Sequence, residues 1–373
     1  NSSGVLVAAA ADAPRFAYDP SSLGSRGLLI EGANTNGIRN NTMQGAVAGT
    51  PGTPPWNWTI GGLAGLSSQI VGFGTTSGID YIDIRYFGTT NATGGYLASF
   101  DTTSGIASAN GQTWTESAWL ALVAGAFTNI TNLSFNMVTY PGGGSAGSVN
   151  VLGSIDGTFK RLSMVSTIAD VSNVNIQPRI SFNCTNGAAV DFTLRIGLPQ
   201  AEQAPAASSP IRTTGTAATR AEDVARITNA AALSDQVWII RARTAAFSPP
   251  AGAVQYLMKV DDGTPTNRRM IRRSADNHLH VFAILGGVGQ CDLDLGVIAN
   301  DTDFVVAARF ADNLFAASLN GGAIVTDLAG TNPLGMTTAR VGRSSSGSHW
   351  NSTIRTVETR RIATDAELPL LAA

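Results

Sequence analysis

Short runs of alternating apolar and polar residues, separated by turns rich in glycine and asparagine, constrain the fold of this chain more than any other feature. The clearest run is VDFTLRI at residues 190–196, in which every second residue is apolar. Because successive side chains of a β-strand point to opposite faces, such a run predicts a strand with one buried face. Similar runs in the first half lie at residues 79–87, 113–123, 133–140, 159–165 and 174–182. Many short strands at this spacing favour a sandwich or a jelly roll.

The second half of the chain repeats this pattern and adds specific turn signals. Candidate strands lie at residues 236–243, 254–260, 268–273, 278–284, 291–298, 304–310, 314–319, 323–327, 338–342 and 352–361. Three dipeptides between apolar runs suit tight hairpins, in which both central residues need a positive φ: Asn320-Gly321, Asp262-Gly263 and Gly286-Gly287. The second half is therefore predicted to be an antiparallel meander.

The expected fold is all-β, with two tandem antiparallel β-sandwich domains of the jelly-roll type followed by a short C-terminal helix. The stretch at residues 201–229 is rich in Ala, Pro, Thr and Ser and interrupts the alternation, so it is interpreted as a connector. The first domain is then residues 1–200 and the second is residues 230–373. Thr364 and Glu367 have the spacing of a capping box, and Pro369 limits the predicted helix to about one turn.

Charge is scarce, and this excludes several classes of function. Charged residues make up 13% of the 373 residues, against about 25% in an average protein, and the formal net charge is −2. We therefore expect no nucleic-acid partner and no attraction to an anionic membrane. The longest apolar stretch, around residues 119–127, is too short for membrane insertion. Cys184 and Cys291 fall in different predicted domains and are expected to be free, buried thiols.

The acidic residues lack the pattern of a catalytic site. Asp80 and Asp83 are three residues apart on one predicted strand, which places them on opposite faces. Asp292 and Asp294 share a face and could help to hold Ca²⁺, but the sequence favours outward polar positions of an alternating strand as their explanation. Glu116 lies in an apolar strand, where we expect it to be buried and hydrogen-bonded. With no nucleophile motif, phosphate loop or paired carboxylates, the sequence predicts a protein that is not an enzyme and has no cofactor and no metal site.

Three stretches of the sequence resemble modular structural proteins of bacteriophages. PRFAYDPSSLGSRGLLIEGANTN at residues 14–36 is similar to the segment that opens a carbohydrate-binding-module-like jelly roll in phage tail and head appendages. LRIGLPQAEQAPAASSPIRTTGTAATRAEDV at residues 194–224 is similar to the closing strand and tail of that module. The second half, with FVVAARFADNLFAASLNGGAIVTD and STIRTVETRRIATDAEL, resembles a concanavalin A/laminin-G-like sandwich. The chain departs from the opening motif at Gly32 and Asn34, where an acid and an arginine are usual.

The resemblance implies a structural protein on the surface of a virion, in a tail fibre, a spike or a head decoration. Its partners would be other virion subunits, and by analogy with phage fibres it would form a homo-oligomer, with a trimer as the first expectation. A host surface glycan is a further candidate partner. The alternatives are a glycan-binding adhesin or lectin acting in host recognition, and a secreted polysaccharide-active protein.

Sugar recognition would need exposed aromatic rings, and two segments offer them. Trp56 and Trp58 lie in the polar loop PPWNWT, and His349 and Trp350 lie in SSSGSHWNST. Rings in such positions can stack on sugar faces, but aromatic residues that flank strands also cap hydrophobic cores. These four residues are the predicted carbohydrate-binding site.

Overall fold

The protein is described by a computed structural model that covers residues 1–10, 12–62, 65–228, 236–345 and 347–373. Strands dominate these residues and α1 (Glu367–Leu371) is the one α-helix among them, so the predicted all-β sandwich fold with a short C-terminal helix is confirmed. Contacts divide the chain into two compact units. We call Asn34–Arg220 the middle unit, and Asn1–Ala33 together with Ala221–Ala373 the terminal unit.

The strands of the described residues are numbered in chain order. They are β1 (Phe16–Tyr18), β2 (Ser25–Ile30), β3 (Asn34–Asn36), β4 (Thr59–Gly62), β5 (Leu66–Thr76), β6 (Ile79–Thr89), β7 (Gly94–Ser99), β8 (Ile106–Ala107), β9 (Thr113–Ala126), β10 (Ile130–Tyr140), β11 (Ser145–Asn150), β12 (Lys160–Thr167), β13 (Asn175–Cys184), β14 (Ala189–Glu202), β15 (Ala218–Arg220), β16 (Ala225–Thr228), β17 (Val237–Arg243), β18 (Gln255–Asp261), β19 (Arg268–Arg273), β20 (His278–Leu285), β21 (Val288–Val297), β22 (Asp303–Arg309), β23 (Phe315–Leu319), β24 (Val325–Asp327), β25 (Thr338–Val341) and β26 (Ser352–Arg360).

The middle unit is a sandwich of two antiparallel sheets around one core. One sheet has the order β11-β10-β13-β7-β4, with β8 beside β13, and the other has the order β12-β9-β14-β6-β5. The predicted strand at 190–196 lies inside β14, and its apolar side chains are buried in the core that both sheets share. Phe182 of one sheet lies 5.0 Å from Tyr86 and 5.1 Å from Phe192 of the other, measured between ring centroids. This aromatic contact joins the two layers.

The terminal unit is a second antiparallel sandwich. Its sheets have the orders β1-β2-β26-β17-β22-β23-β24 and β16-β25-β18-β19-β20-β21. The core between them includes Trp238, Val306 and Trp350, all fully buried. Side chains on the opposite face of β17, including Val237 and Ile239, pack in a smaller cluster with residues of the C-terminal helix. One of its sheets is therefore apolar on both faces.

The observed division differs from the predicted domains at residues 1–33 and at the connector. Residues 1–33 belong to the terminal unit, because β2 pairs with β26, with Leu28 opposite Ile354. Of the predicted connector 201–229, residues up to Arg220 belong to the middle unit and residues 221–228 to the terminal unit. The predicted boundary between residues 229 and 230 lies outside the described residues. Strand pairing between distant segments decides which unit each segment joins, and the periodicity within one segment does not predict that pairing.

Two of the three predicted turns adopt the backbone that they require, whereas at Asp262-Gly263 only Gly263 has a positive φ, of 95°, and six residues separate β18 from β19. Asn320 and Gly321 both have positive φ, at 49° and 69°, between β23 and β24. Gly286 and Gly287 have φ of 62° and 81° and connect β20 directly to β21, with Leu285 opposite Val288. This two-residue connection sets the register beside the turn, and bulges between Ala283 and Ile284 and between His278 and His280 shift the register further along the hairpin.

The described part of the chain contains no helix that is both long enough and apolar enough to span a membrane.

Candidate functional site

Trp56 is the predicted sugar-stacking residue whose ring reaches solvent, with 59% of its surface exposed. The buried side-chain amide of Asn40 holds its loop by donating to the carbonyl oxygens of Gln44, at 2.9 Å, and of Trp56, at 3.1 Å. The indole edge lies against Gly45, which has a φ of 80°, and a Cβ at that position would collide with the ring. The loop therefore presents a fixed, exposed aromatic face.

Trp58, two residues further on, points into the core. It is 6% exposed, its ring centroid lies 4.9 Å from that of Phe100, and its Nε1 donates to the carbonyl oxygen of Asn40 at 2.7 Å. Trp56 and Asn57 lie in a turn in which Asn57 has a φ of 71°, so the two tryptophans point in different directions although residues two apart on a strand would share a face.

Trp350 and His349 are also buried. Trp350 Nε1 donates to the carbonyl oxygen of Arg243 at 2.6 Å, and the ring packs 5.8 Å from Phe304. His349 Nε2 lies 3.1 Å from a carboxylate oxygen of Glu222, and burial lowers the pKa of His349 although that carboxylate opposes the shift. Three of the four predicted residues thus have no ring face open to a sugar, because rings that fill a core are in contact with protein on both sides.

A groove of about 210 Å³ in the terminal unit is rich in arginine. Arg26 in this groove pairs with Asp19 at 2.5 Å, whereas Arg355 has no hydrogen-bond or carboxylate partner among the described residues. An unpaired guanidinium is suited to a carboxylate, sulfate or phosphate group of a ligand. The groove is lined by Arg26, Arg241, Ala242, Asp303, Phe304, Val305, Asn320 and Arg355.

Two of the stretches that resemble phage proteins, residues 14–36 and residues 194–224, contribute side chains to one ion cluster in the terminal unit. Arg15 Nε donates to Oδ1 of Asp223 at 2.9 Å, and Arg15 Nη1 lies 2.9 Å from Oε2 of Glu31. The backbone N–H of Glu31 donates to Asp223 Oδ2 at 2.8 Å. Arg15 and Glu31 come from the first of these stretches and Asp223 from the second, so residues 192 and 208 positions apart in the sequence make one structural element.

Two histidines and two aspartates meet on the outward face of the hairpin formed by β20 and β21. His278 Nδ1 lies 2.8 and 2.9 Å from the carboxylate oxygens of Asp294, and His280 Nδ1 lies 2.7 Å from Oδ1 of Asp292. One potential ligand atom from each of His278, His280 and Asp294 lies within 4.8 Å of the others. These residues could hold a metal ion, whereas the sequence predicted no metal site.

Part of the signal for this cluster is present in the sequence, because HLH and DLD flank a Gly-Gly turn that allows a two-residue hairpin. Extending the register from that turn, however, places His280 opposite Leu293 and so puts the histidines and the aspartates on opposite faces. A β-bulge between Ala283 and Ile284 shifts the pairing by one residue and brings Asp294 opposite His280, so the sequence pattern alone does not predict the cluster.

The acidic residues considered as catalytic candidates have separate environments. Asp80 accepts a hydrogen bond from Thr75 at 2.6 Å, and Asp83 pairs with Arg195 at 2.8 Å. Glu116 is fully buried, as expected, but neither of its carboxyl oxygens meets the geometry of a hydrogen bond to a described residue. Burial raises the pKa of Glu116 well above its ordinary value, against the opposing charge of Arg179, which favours the neutral form of this carboxyl.

No protein-family model matches this sequence, and no curated protein matches it. Among solved structures, the chain is similar to the carbohydrate-binding module CBM40 of the Ruminococcus gnavus IT-sialidase, with 14% identity and a TM-score of 0.32. That alignment covers 41% of this chain and 97% of the module. The chain is also similar to the tripod (BppUct-A-L) from the baseplate of bacteriophage Tuc2009, with 9% identity and a TM-score of 0.33 over 78% of this chain and 94% of the tripod chain.

A third similar structure is the native heptameric SAP-like pentraxin from Limulus polyphemus, with 11% identity and a TM-score of 0.27. That alignment covers 35% of this chain and 67% of the pentraxin chain. Identities and TM-scores this low carry no information about function, so function is argued from the residues of this chain.

Proposed function

We propose that this chain is a non-catalytic structural component of the exterior of a bacteriophage particle. The observation that supports this most directly is the ion cluster of Arg15, Glu31 and Asp223. Each of the two sequence segments that resemble phage appendage proteins supplies part of it. Two unrelated chance similarities would have no reason to meet in one cluster, so the resemblance is best explained by shared architecture.

The surface composition supports a role in assembly. Of the two lysines, Lys259 is buried in an ion pair with Asp261 at 3.0 Å, and Lys160 is partly exposed and pairs with Asp156 at 2.8 Å. Lysine is depleted at protein interfaces, so a subunit with large contact areas benefits from lacking it. Several large apolar side chains are also exposed, among them Val171, Leu334, Ile362 and Leu370. We expect such positions to be covered by neighbouring subunits.

The location in the particle is tested by mass spectrometry and immunogold electron microscopy of particles purified from cells that carry the gene. The proposal predicts peptides of this chain in density-purified particles and gold on their outer surface. Its absence from such particles, with the chain found only in the cell lysate, would contradict the proposal.

Self-association is tested separately by sedimentation of the purified chain over a wide concentration range. We expect a symmetric homo-oligomer, with a trimer as the first expectation. A monodisperse monomer at the highest concentration would remove the oligomer from the proposal and leave the particle location to the previous experiment.

Glycan binding in host recognition is the second candidate function, and the arginine-rich groove and the exposed ring of Trp56 favour it. An array of neutral and acidic glycans is probed with the wild-type chain and with Arg355→Ala and Trp56→Ala. Loss of binding to acidic glycans in Arg355→Ala supports glycan binding in the groove. Loss of binding to neutral glycans in Trp56→Ala supports glycan binding at the exposed tryptophan ring. Arg361→Ala and Phe16→Ala remove an exposed arginine and an exposed aromatic ring elsewhere and serve as matched controls. No specific signal from the wild-type chain would remove the adhesin function.

A further inference from the structure

The hairpin of β20 and β21 carries two imidazoles and two carboxylates on one face. His278 and His280 are alternate residues of β20, so both rings point outward, and their centroids lie 6.3 Å apart. Asp294 lies opposite His280 on β21, and a register shift between His278 and His280 brings its carboxylate to His278. The four side chains are partly exposed, so the face is open to ions from solution.

The distances suit convergence on a single ion. A tetrahedral metal with bonds of about 2.0–2.1 Å holds its ligand atoms about 3.3 Å apart. The ligand atoms of His278, His280 and Asp294 already lie within 4.8 Å of one another, and small rotations of partly exposed side chains close the difference. The strands and the two-residue turn at Gly286-Gly287 hold the three backbones in place, which limits the ordering cost of binding.

The donor set selects the class of ion. Two imidazole nitrogens and one carboxylate oxygen are ligands that Zn²⁺, Co²⁺, Ni²⁺ and Cu²⁺ prefer, whereas Ca²⁺ and Mg²⁺ prefer oxygen alone. Three protein ligands leave one position for water or for a donor from another molecule. The Ca²⁺ site considered for Asp292 and Asp294 is therefore less suited to this face than a transition-metal site.

The surroundings favour a cation and orient one ligand. Asp292 binds Nδ1 of His280, which fixes that ring and leaves its other nitrogen for a metal. The charge of Asp276 also acts on His278. The nearby cation is Arg272, which lies opposite His280 on β19, and its guanidinium is directed over the ring of Phe282 at 4.7 Å. Three carboxylates thus face one guanidinium around the two rings.

We propose that His278, His280 and Asp294 bind one divalent transition-metal ion, with Asp292 as a positioning residue for His280. The site is independent of the glycan-binding and assembly functions proposed above.

Calorimetric titration of ZnCl₂ into the chelator-treated, tag-free chain tests the proposal. We expect one ion per chain, loss of that binding in His280→Ala and in Asp294→Asn, and an affinity lowered by about tenfold to about a hundredfold in Asp292→Asn. Asp262→Asn, which removes a half-buried carboxylate from the turn that follows β18, at the end of the sheet away from the histidines, is the matched control and should bind as the wild type does. CaCl₂ should give no binding heat at this site.

A second measurement uses the wild-type chain alone, so it does not depend on how any variant folds. Diethyl pyrocarbonate modifies accessible imidazoles, and mass spectrometry of the digested protein locates the modified residues. Zn²⁺ should protect His278 and His280 from modification and leave the reactivity of His349 unchanged. Zinc binding that persists in both ligand variants, absence of a one-to-one site, or equal modification of His278 and His280 with and without Zn²⁺ would overturn the proposal.

Discussion

Arg15 and Asp223 are hydrogen-bonded at 2.9 Å although 208 positions separate them in the sequence. The same carboxylate accepts the backbone N–H of Glu31 at 2.8 Å. These side chains are partly buried, so their charges are screened less than those of a surface pair. The cluster therefore connects the N-terminal hairpin of β1 and β2 to residue 223 in the same unit.

Replacing Asp223 should destabilise the terminal unit. Asp223→Ala removes the acceptor for Arg15 and for the Glu31 amide, and hydrogen bonds to charged groups are worth about 1.5–3 kcal/mol, so we expect a loss of about 2 kcal/mol in the free energy of unfolding. Urea denaturation of the full chain, followed through the unfolding transition of the terminal unit, measures this free energy. Glu358→Ala breaks the exposed pair with Arg360 in the same unit and should cost less than about 1 kcal/mol. Equal losses in the two variants would contradict this prediction.

Substitution by alanine should affect stability very differently at the two tryptophans of the PPWNWT loop. Trp58→Ala empties a core position and should cost about 3–5 kcal/mol in the stability of the middle unit. Trp56→Ala removes an exposed ring and should change that stability by less than about 0.5 kcal/mol. Thermal unfolding of both variants compares them directly. A large loss in Trp56→Ala would mean that its ring supports the fold rather than being available to a ligand.

Glu116 should make the middle unit less stable as the pH rises. Its pKa is raised in the folded state, so above the ordinary value of 4.5 the unfolded chain releases a proton that the folded chain retains. The stabilisation is complete below that pH and is lost as the pH increases toward the folded pKa. Glu116→Gln should reduce the dependence of the free energy of unfolding on pH. Glu116→Leu should raise the stability at neutral pH, because no polar group is then left unpaired in the core.

Denaturation of these variants at several pH values between 4 and 8 measures the slope. If the free energy of unfolding of Glu116→Gln changes with pH as much as that of the wild type, another group causes the pH dependence.

His349 should have the opposite effect on the terminal unit. Burial lowers its pKa in the folded state, with Glu222 opposing and Arg343 reinforcing the shift. Below the ordinary value of 6.5 the unfolded chain therefore binds a proton that the folded chain does not, so stability falls as the pH decreases through that value. His349→Gln should remove this loss between pH 7 and pH 5. Unfolding curves of the terminal unit at both pH values test it, and an unchanged difference between them would reject the assignment to His349.

Features that depend on neighbouring residues were predictable. The alternation at 190–196 placed the apolar side chains of β14 in the core, and the Asn320-Gly321 and Gly286-Gly287 turns have the positive φ angles that their sequences indicate. The helix near the C-terminus has the single turn that Pro369 allows. Side-chain period and backbone preference are local properties, so sequence reports them directly.

Features that depend on distant pairing were not predictable in the same way. Strand alternation would place Trp56 and Trp58 on the same face, and it is the turn at Trp56 and Asn57, with Asn57 at a φ of 71°, that leaves one ring in solvent and the other in the core. The assignment of residues 1–33 to the terminal unit rests on the pairing of β2 with β26, more than three hundred positions later.

The sequence by itself determined the all-β class, the positions of many strands and the tight turns between them, because each follows from the chemistry of a few adjacent residues. Only the tertiary structure decided which strands are neighbours, that Arg15 meets Asp223, and that His278 and His280 face Asp294 and Asp292. The physical reason is that strand pairing is chosen by the burial of whole faces and by hydrogen bonds between remote segments, which no local pattern encodes.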